Sequence, residues 1–512
     1  MITSAFRVSR RAPKFPNSRI FSDVRRRGRS TDDVDSTPRV DLGGGQIASE
    51  GSLMDRDDFL FGLKEQRITF RQIGVHADIA AALEKCEKST ATLIQARTFE
   101  AIIDRKDVVI GAETGSGKTM AFMVPILHQL LTQKEDEERQ ETVDGDGSET
   151  LDISKNYPSV VVMVPNRELV LQVHGAVNEL LFALQGDRIT SEACTSQLDM
   201  WPYRDADSPD ILICTPAILS KFIRGPNILE EELFRCIKTV VFDEADMLFE
   251  GSYLRDAEKV LEAFKLTRRE SIRQGRIGIN DKVVQNVLSA ATLPTFGLKS
   301  MDAYIRKKFP LSVRVSNEHL HRHHPQISQK WLTVGGNAIT DGDRIDLITQ
   351  AVGPEAVGGS TMIFVNTADA AVDLADALRQ ADPAVECGEF HKLMRNTDKQ
   401  ADLKAFREGD IPVLICTDAA ARGLDLPSVR HVIQAEFALN VVQHLHRIGR
   451  ASRGGKEGNA TIIVDERGRD LADSIQGVAA EGHGGGVERS FSRKRGFRAK
   501  VKKGRRASHG NT

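Results

Sequence analysis

The chemistry begins with Ala112-Glu113-Thr114-Gly115-Ser116-Gly117-Lys118-Thr119. Glycines at this spacing let backbone N–H groups close around phosphate oxygens. Lys118 can reach the β- and γ-phosphates, and the Thr119 hydroxyl suits Mg²⁺. A second pair of groups, Asp243 and Glu244, follows the apolar run Val240-Val241-Phe242. Hydrolysis of a triphosphate needs one acid to hold Mg²⁺ and one to position the attacking water. Asp243 suits the first role and Glu244 the second.

Such groups need rigid elements behind them. Val108-Val109-Ile110 reads as a buried strand entering the Gly-rich loop, and the run from Met120 starts a helix leaving it. Strands are expected at 108–110, 160–164, 211–214, 239–242 and 284–288, and again at 361–365, 413–416, 431–433 and 461–464. They alternate with helical patterns, which predicts an α/β chain with two parallel sheets, each covered by helices on both faces. Only the first series carries a Gly-rich phosphate loop. The expected organisation is an arm over 1–56, a first domain over 57–312, a linker region over 313–345, a second domain over 346–470 and a basic disordered tail over 471–512.

The 512 residues suffice for several domains, and the 40% hydrophobic share is ordinary for a globular protein. The net charge of −2 hides an asymmetry. Residues 1–30 are rich in Arg and Ser, as in an organellar transit peptide or a basic RNA-binding arm. Residues 133–157 are acidic and are expected to be a disordered surface insertion. Residues 489–506 interleave Phe491 and Phe497 with ten Arg and Lys, a composition suited to tethering nucleic acid. The six cysteines form no CxxC pair, which speaks against a zinc site or disulfide framework and fits a reducing compartment. No apolar run reaches the length of about 18 residues that a membrane span needs.

Asp243-Glu244-Ala245-Asp246 spells DEAD, and the motifs around it resemble those of the DEAD-box ATP-dependent RNA helicases of superfamily 2. The resemblance covers roughly residues 68–465. It implies two tandem RecA-like domains that close on ATP, Mg²⁺ and single-stranded RNA, in a core that is monomeric and has no membrane part. Phe70 and Gln95 match the motif that reads adenine, although Lys88 and Ala91-Thr92 stand where relatives carry an aromatic and Pro-Thr. Pro165-Asn166-Arg167-Glu168-Leu169 resembles PTREL, which implies an RNA-side role for Pro165 and Arg167. Thr215-Pro216 resembles the start of TPGR, with Ala217 and Ile218 replacing Gly and Arg. Thr215 keeps the capacity to bond a phosphate oxygen.

The family's SAT appears as Ala290-Ala291-Thr292, with Ser289 one residue early and therefore on the opposite strand face. Asp246 is then expected to keep Thr292 as its partner, with weaker coupling of hydrolysis to unwinding. QxxR appears as Asn396 and Lys399. The run from Thr417 to Asp425 matches the next motif closely. The resemblance implies RNA and interface roles for Thr417, Arg422 and Gly423, and a ribose contact for Asp425. His446-Arg447-Ile448-Gly449-Arg450-Ala451-Ser452-Arg453 matches HRIGRTGR, with His446 in coupling and Arg447 and Arg450 as candidate arginine fingers.

The function implied is ATP-dependent RNA unwinding. The departures cluster on RNA-contact and coupling motifs, which leaves a non-unwinding RNA clamp or assembly scaffold as the alternative. The complete set of Lys118, Thr119, Asp243, Glu244, Arg447 and Arg450 favours an active ATPase. The basic arm, the AAT variant and the tail look like an organellar subgroup. That suggests ribosomal RNA and ribosome-assembly proteins as partners, in a mitochondrion or plastid, with nucleus or cytoplasm as the alternative.

Overall fold

Runs of Val and Ile without polar interruption form strands that are covered on both sides. The structure, a computed structural model, describes residues 68–481 apart from 113–114, 145–156, 185–187, 197–207, 223–228, 250–252, 279–283, 294–300, 317–326, 337, 357–359, 384, 419–428 and 452–456. The first sheet contains β1 (Val108–Gly111), β2 (Val160–Met163), β3 (Ser191–Cys194), β4 (Ile211–Cys214), β5 (Thr239–Phe242), β6 (Gln285–Ala290) and β7 (Val313–Ser316). Its order is β3-β4-β2-β5-β6-β1-β7, and the pairings are parallel. The second sheet contains β8 (Ile327–Thr333), β9 (Ser360–Val365), β10 (Cys387–Phe390), β11 (Val413–Thr417), β12 (Val429–Gln434) and β13 (Gly458–Val464). Its order is β10-β11-β9-β12-β13-β8, again parallel.

Alternation within the central strands feeds two helical layers. Ile110, Val241 and Val287 pack to one side of the first sheet, and Val109, Val240, Phe242 and Leu288 to the other. Ile363 and Val365 part from Met362 and Phe364 in the same way in the second. This is the arrangement expected of parallel sheets closed off from water on both faces. Because every strand in a parallel sheet points the same way, the loops after β1, β5 and β6 gather at one edge, where ligands of such folds sit.

Three expectations change. The region 313–345 is not a linker throughout: β7 completes the first sheet, β8 the second, and a helix spans Gly342–Ala356. The joining segment shortens to 317–326, which lies outside the described residues. The tail does not begin at 471, because Arg469–Glu481 is helical and buries Ala472 and Ile475 against the second domain. The acidic block 135–138 is not disordered but continues the helix Lys118–Asp144. Tertiary ion pairs anchor that extension: Lys134 to Asp210 at 2.8 Å, and Glu135 to His76 at 3.4 Å and Arg188 at 3.3 Å. The rest of the expected insertion, the N-terminal arm and the basic tail beyond 481 lie outside the described residues.

Candidate functional site

The phosphate loop leaves β1 and enters the helix at Lys118. Gly115 and Gly117 both take positive φ, at 83° and 86°. At Gly117 a second constraint applies, since a Cβ there would sit 2.4 Å from the Gln95 side-chain nitrogen. That amide is tied at both ends. Its Oε1 accepts from Thr92 N at 2.9 Å, and its Nε2 donates to Gly117 O at 3.2 Å. The Thr92 hydroxyl donates to Ser116 O at 3.3 Å. Gln95 is therefore a buried strut between its own helix start and the phosphate loop, rather than a surface amide. Phe70 is 3% exposed and packs into the first domain's core, a supporting position behind the nucleotide edge. Lys118 Nζ donates to Ala112 O at 2.7 Å, and Thr119 is half-buried. Glu113 and Thr114 lie outside the described residues.

The carboxylates stand across the edge from this loop. Asp243 follows β5 directly, with its N–H donating to Met163 O at 3.0 Å. Glu244 turns into the left-handed region, φ 51° and ψ 48°, and its N–H donates to Asp243 Oδ1 at 3.0 Å. Burial, and then the Glu244 charge, push the Asp243 carboxyl up; Ser289 and Lys118 work in the opposite direction. A buried carboxylate under this stress beside a second acid, with a hydroxyl from Thr119 on the loop, is a hard oxygen set that fits Mg²⁺.

Asp246 joins the two domains. Its Oδ2 accepts from Thr292 N at 3.0 Å and from Thr292 Oγ1 at 2.7 Å, and lies 3.3 Å from His446 Nε2. Burial alone would raise this carboxyl, but His446, Thr292 and Lys118 outweigh it and hold it at about 2. Asp246 thus keeps more than the single partner expected of it, because the second domain supplies His446. Ala290 packs into the apolar cluster with Phe242 and Leu288 on one face of the sheet, and Ser289 faces the other.

Arg447 is not placed as an arginine finger. It is fully buried and spends its guanidinium inside the second domain. Nε and Nη2 grip Asp418 at 2.8 and 2.6 Å, Nη1 donates to Glu436 O at 2.7 Å, and Nη2 donates to Asn366 Oδ1 at 2.8 Å. Phe364 lies under it, with its ring centre 5.4 Å from the guanidinium carbon. A fork committed to a carboxylate in both arms cannot also reach a phosphate. Asp418, the acid directly after the buried strand β11, is a site residue that the motif spacing alone does not single out. Arg450 is buried three residues further on.

On the RNA side, Pro165 is buried and Arg167 is exposed at the start of the helix Arg167–Leu184. Asn166 caps that helix, its Oδ1 accepting from Leu169 N at 2.8 Å. The change from Thr is thus neutral for local structure, since Asn is as good a cap. Thr215 is half-buried, Ala217 is exposed, and Ile218 packs into the core. Thr417 ends β11 and is buried, whereas Asn396 is exposed and Lys399 half-buried on the helix Asn396–Glu408. Arg422, Gly423, Asp425 and Arg453 lie outside the described residues.

Comparison with known proteins matches this geometry. Residues 92–299 fit the family described as DEAD/DEAH box helicase, and residues 343–455 fit the helicase conserved C-terminal domain. The chain is 32% identical over 505 residues to DEAD-box ATP-dependent RNA helicase 22 of Oryza sativa subsp. japonica, covering 86% of this chain and 85% of the relative. The Arabidopsis thaliana protein of the same name is 32% identical over 510 residues, covering 86% and 84%. Among solved structures, Mss116p bound to ssRNA and AMP-PNP is similar at TM-score 0.64 and 22% identity, covering 81% of this chain and 78% of that one. S. cerevisiae Dbp5 bound to RNA and ADP BeF3 is similar at TM-score 0.59 and 21% identity, covering 80% and 93%.

Proposed function

This chain belongs to the DEAD-box family of ATP-dependent RNA helicases, and from that premise we propose how its residues divide the work. Gln95 braces the phosphate loop, and its amide releases Thr92 N and Gly117 O where it pairs with adenine. Residues 115–119 cradle the phosphates, and Lys118 leaves Ala112 O for phosphate oxygens. Thr119 and Asp243 would hold Mg²⁺, which when bound neutralises charge between the β- and γ-phosphates. Glu244 accepts a hydrogen bond from the attacking water. Arg450 supplies positive charge from the second domain, with Arg453 the next guanidinium of the same run. Asp425 takes the ribose hydroxyl. RNA lies along Pro165, Arg167 and Thr215 in the first domain and Thr417, Arg422 and Gly423 in the second. Closure on ATP bends one strand, which a continuous duplex cannot follow, so a short duplex opens. ADP and phosphate then leave as the domains part.

The observation that carries this reading is Asp246 meeting Thr292 of its own domain and His446 of the other. One carboxylate then senses both the hydrolysing half of the site and the arriving domain. RNA-stimulated phosphate release from the full chain is the test. Wild type should release phosphate faster with single-stranded RNA than without, and Glu244→Gln should lose at least about 100-fold, the usual weight of a positioned general base. Phosphate release that RNA leaves unchanged would favour the clamp reading.

The setting is proposed on the flanks alone. The Arg-rich residues 1–30 support delivery to a mitochondrion or plastid, and the basic residues 489–506 support a tether to structured RNA, with ribosomal RNA and its assembly proteins as partners. A fluorescent protein carrying residues 1–56 that stays in the cytosol or nucleus would overturn the organellar assignment.

A further inference from the structure

Ser289 stands where the coupling motif departs from its relatives, and its surroundings give it another task. It lies in β6 opposite Ile110 of β1, the strand that runs into the phosphate loop. On the other side, Val241 and Phe242 of β5 pair with Val287 and Leu288, so the register places Asp243 beside Ser289. Val241 and Val287 share one face of the sheet, and period-two alternation puts Asp243 and Ser289 on that same face. The Ser289 side chain is fully buried, and its hydroxyl has no hydrogen-bond partner among the described residues. A buried hydroxyl left unsatisfied is costly, so alanine would be the better residue if packing were the only demand.

We propose that Ser289 is a positioning residue of the nucleotide site, whose hydroxyl donates to the Asp243 carboxylate, or to a water beside it, once a divalent cation and nucleotide are bound. Asp243 already accepts from Glu244 N on Oδ1. A second donor from β6 fixes the carboxylate plane from the opposite side and leaves the remaining lone pairs directed at the cation. Supporting hydrogen bonds of this kind are typically worth 10–100-fold in metal affinity. The inference rests on the proposed role of Asp243 as a metal ligand, and the test separates the two.

The experiment measures binding of a fluorescent ADP analogue to the full chain as Mg²⁺ is titrated, and again in EDTA. Mn²⁺ binding to the enzyme–ADP complex, followed by electron paramagnetic resonance, gives a readout independent of turnover. Ser289→Ala should need roughly 10-fold more Mg²⁺ for half-saturation and bind Mn²⁺ correspondingly more weakly. Its nucleotide affinity in EDTA should match wild type. Ser289→Thr, which restores the hydroxyl, should recover most of the loss. A Ser289→Ala protein that melts higher than wild type with an unchanged Mg²⁺ requirement would make Ser289 a core filler and overturn the proposal. If Asp243→Asn also leaves the Mg²⁺ requirement unchanged, the metal role of Asp243 falls with it; if only Ser289→Ala does, that role stands.

Discussion

At the scale of single residues, Arg447 is defined by what surrounds it. Sequence places Arg447 and Arg450 three apart and alike, and nothing in their spacing says that Arg447 is held by its own domain. The distinction depends on Asp418, Asn366 and the Glu436 carbonyl, which come from other strand ends and meet only in the fold. Removing one partner of a buried ion pair costs about 3–5 kcal/mol. Arg447→Ala should therefore lower the unfolding free energy of the second domain by that much, with activity lost as a consequence of unfolding. Arg450→Lys should instead keep the fold and lower the RNA-stimulated rate by about 10³-fold or more, in line with the worth of an arginine finger. Circular dichroism melts beside single-turnover phosphate release check both. A stable but inactive Arg447→Ala would return that residue to the catalytic set. By contrast, Lys118, Asp243, Glu244 and Asp246 were legible from sequence, because each is fixed by its immediate neighbours: a glycine turn, a strand end, a short helix.

At the scale of elements, the strands that escape a reading of the sequence are the four sheet edges, β3, β7, β8 and β10. A search for unbroken Val and Ile runs finds strands buried on both faces. Edge strands such as Ser191–Cys194 and Ile327–Thr333 mix exposed and buried residues and carry Glu, Gln and Lys. Their pairing is decided by the neighbouring strand more than by their own composition. The same physics explains the acidic helix extension, where tertiary ion pairs override a composition that reads as disordered. Behind the phosphate loop, the helix Lys118–Asp144 carries His128, whose Nδ1 accepts from His76 N at 3.0 Å. Burial, with His76 adding to it, holds His128 near 4, well below its unfolded value of about 6.5. Protonation thus opposes folding. The native state is unaffected above pH 6.5 and loses stability as pH falls towards 4, by roughly 2 kcal/mol at pH 5. Unfolding free energies from urea titrations of wild type and His128→Asn should diverge by that amount between pH 7.5 and 5, with wild type losing more. Parallel pH dependences would contradict the assignment.

At the scale of the whole molecule, each domain holds an incomplete set. The first carries the phosphate loop and the adjacent carboxylates Asp243 and Glu244. The second carries His446 and the arginines. Asp246 is the residue through which the two halves meet, 3.3 Å from His446 and bonded to Thr292. The His446 and Thr292 contacts hold its carboxyl well below the usual carboxylate range against the cost of burial. The departures from the family at Asn166, Ala217, Ile218, Ala290, Asn396 and Lys399 leave this junction intact, which favours an active, closing enzyme. Energy transfer between dyes at Phe182→Cys, on an exposed site of the first domain, and Lys404→Cys, on an exposed site of the second, follows closure directly. Serine at the half-buried Cys86, Cys236 and Cys387 keeps the labels specific. The account predicts that single-stranded RNA together with a non-hydrolysable ATP analogue moves the population to a high-transfer state that neither ligand produces alone, and that Asp246→Asn loses most of that state. Transfer that the two ligands together leave unchanged, or that Asp246→Asn reaches as fully as wild type, would contradict it.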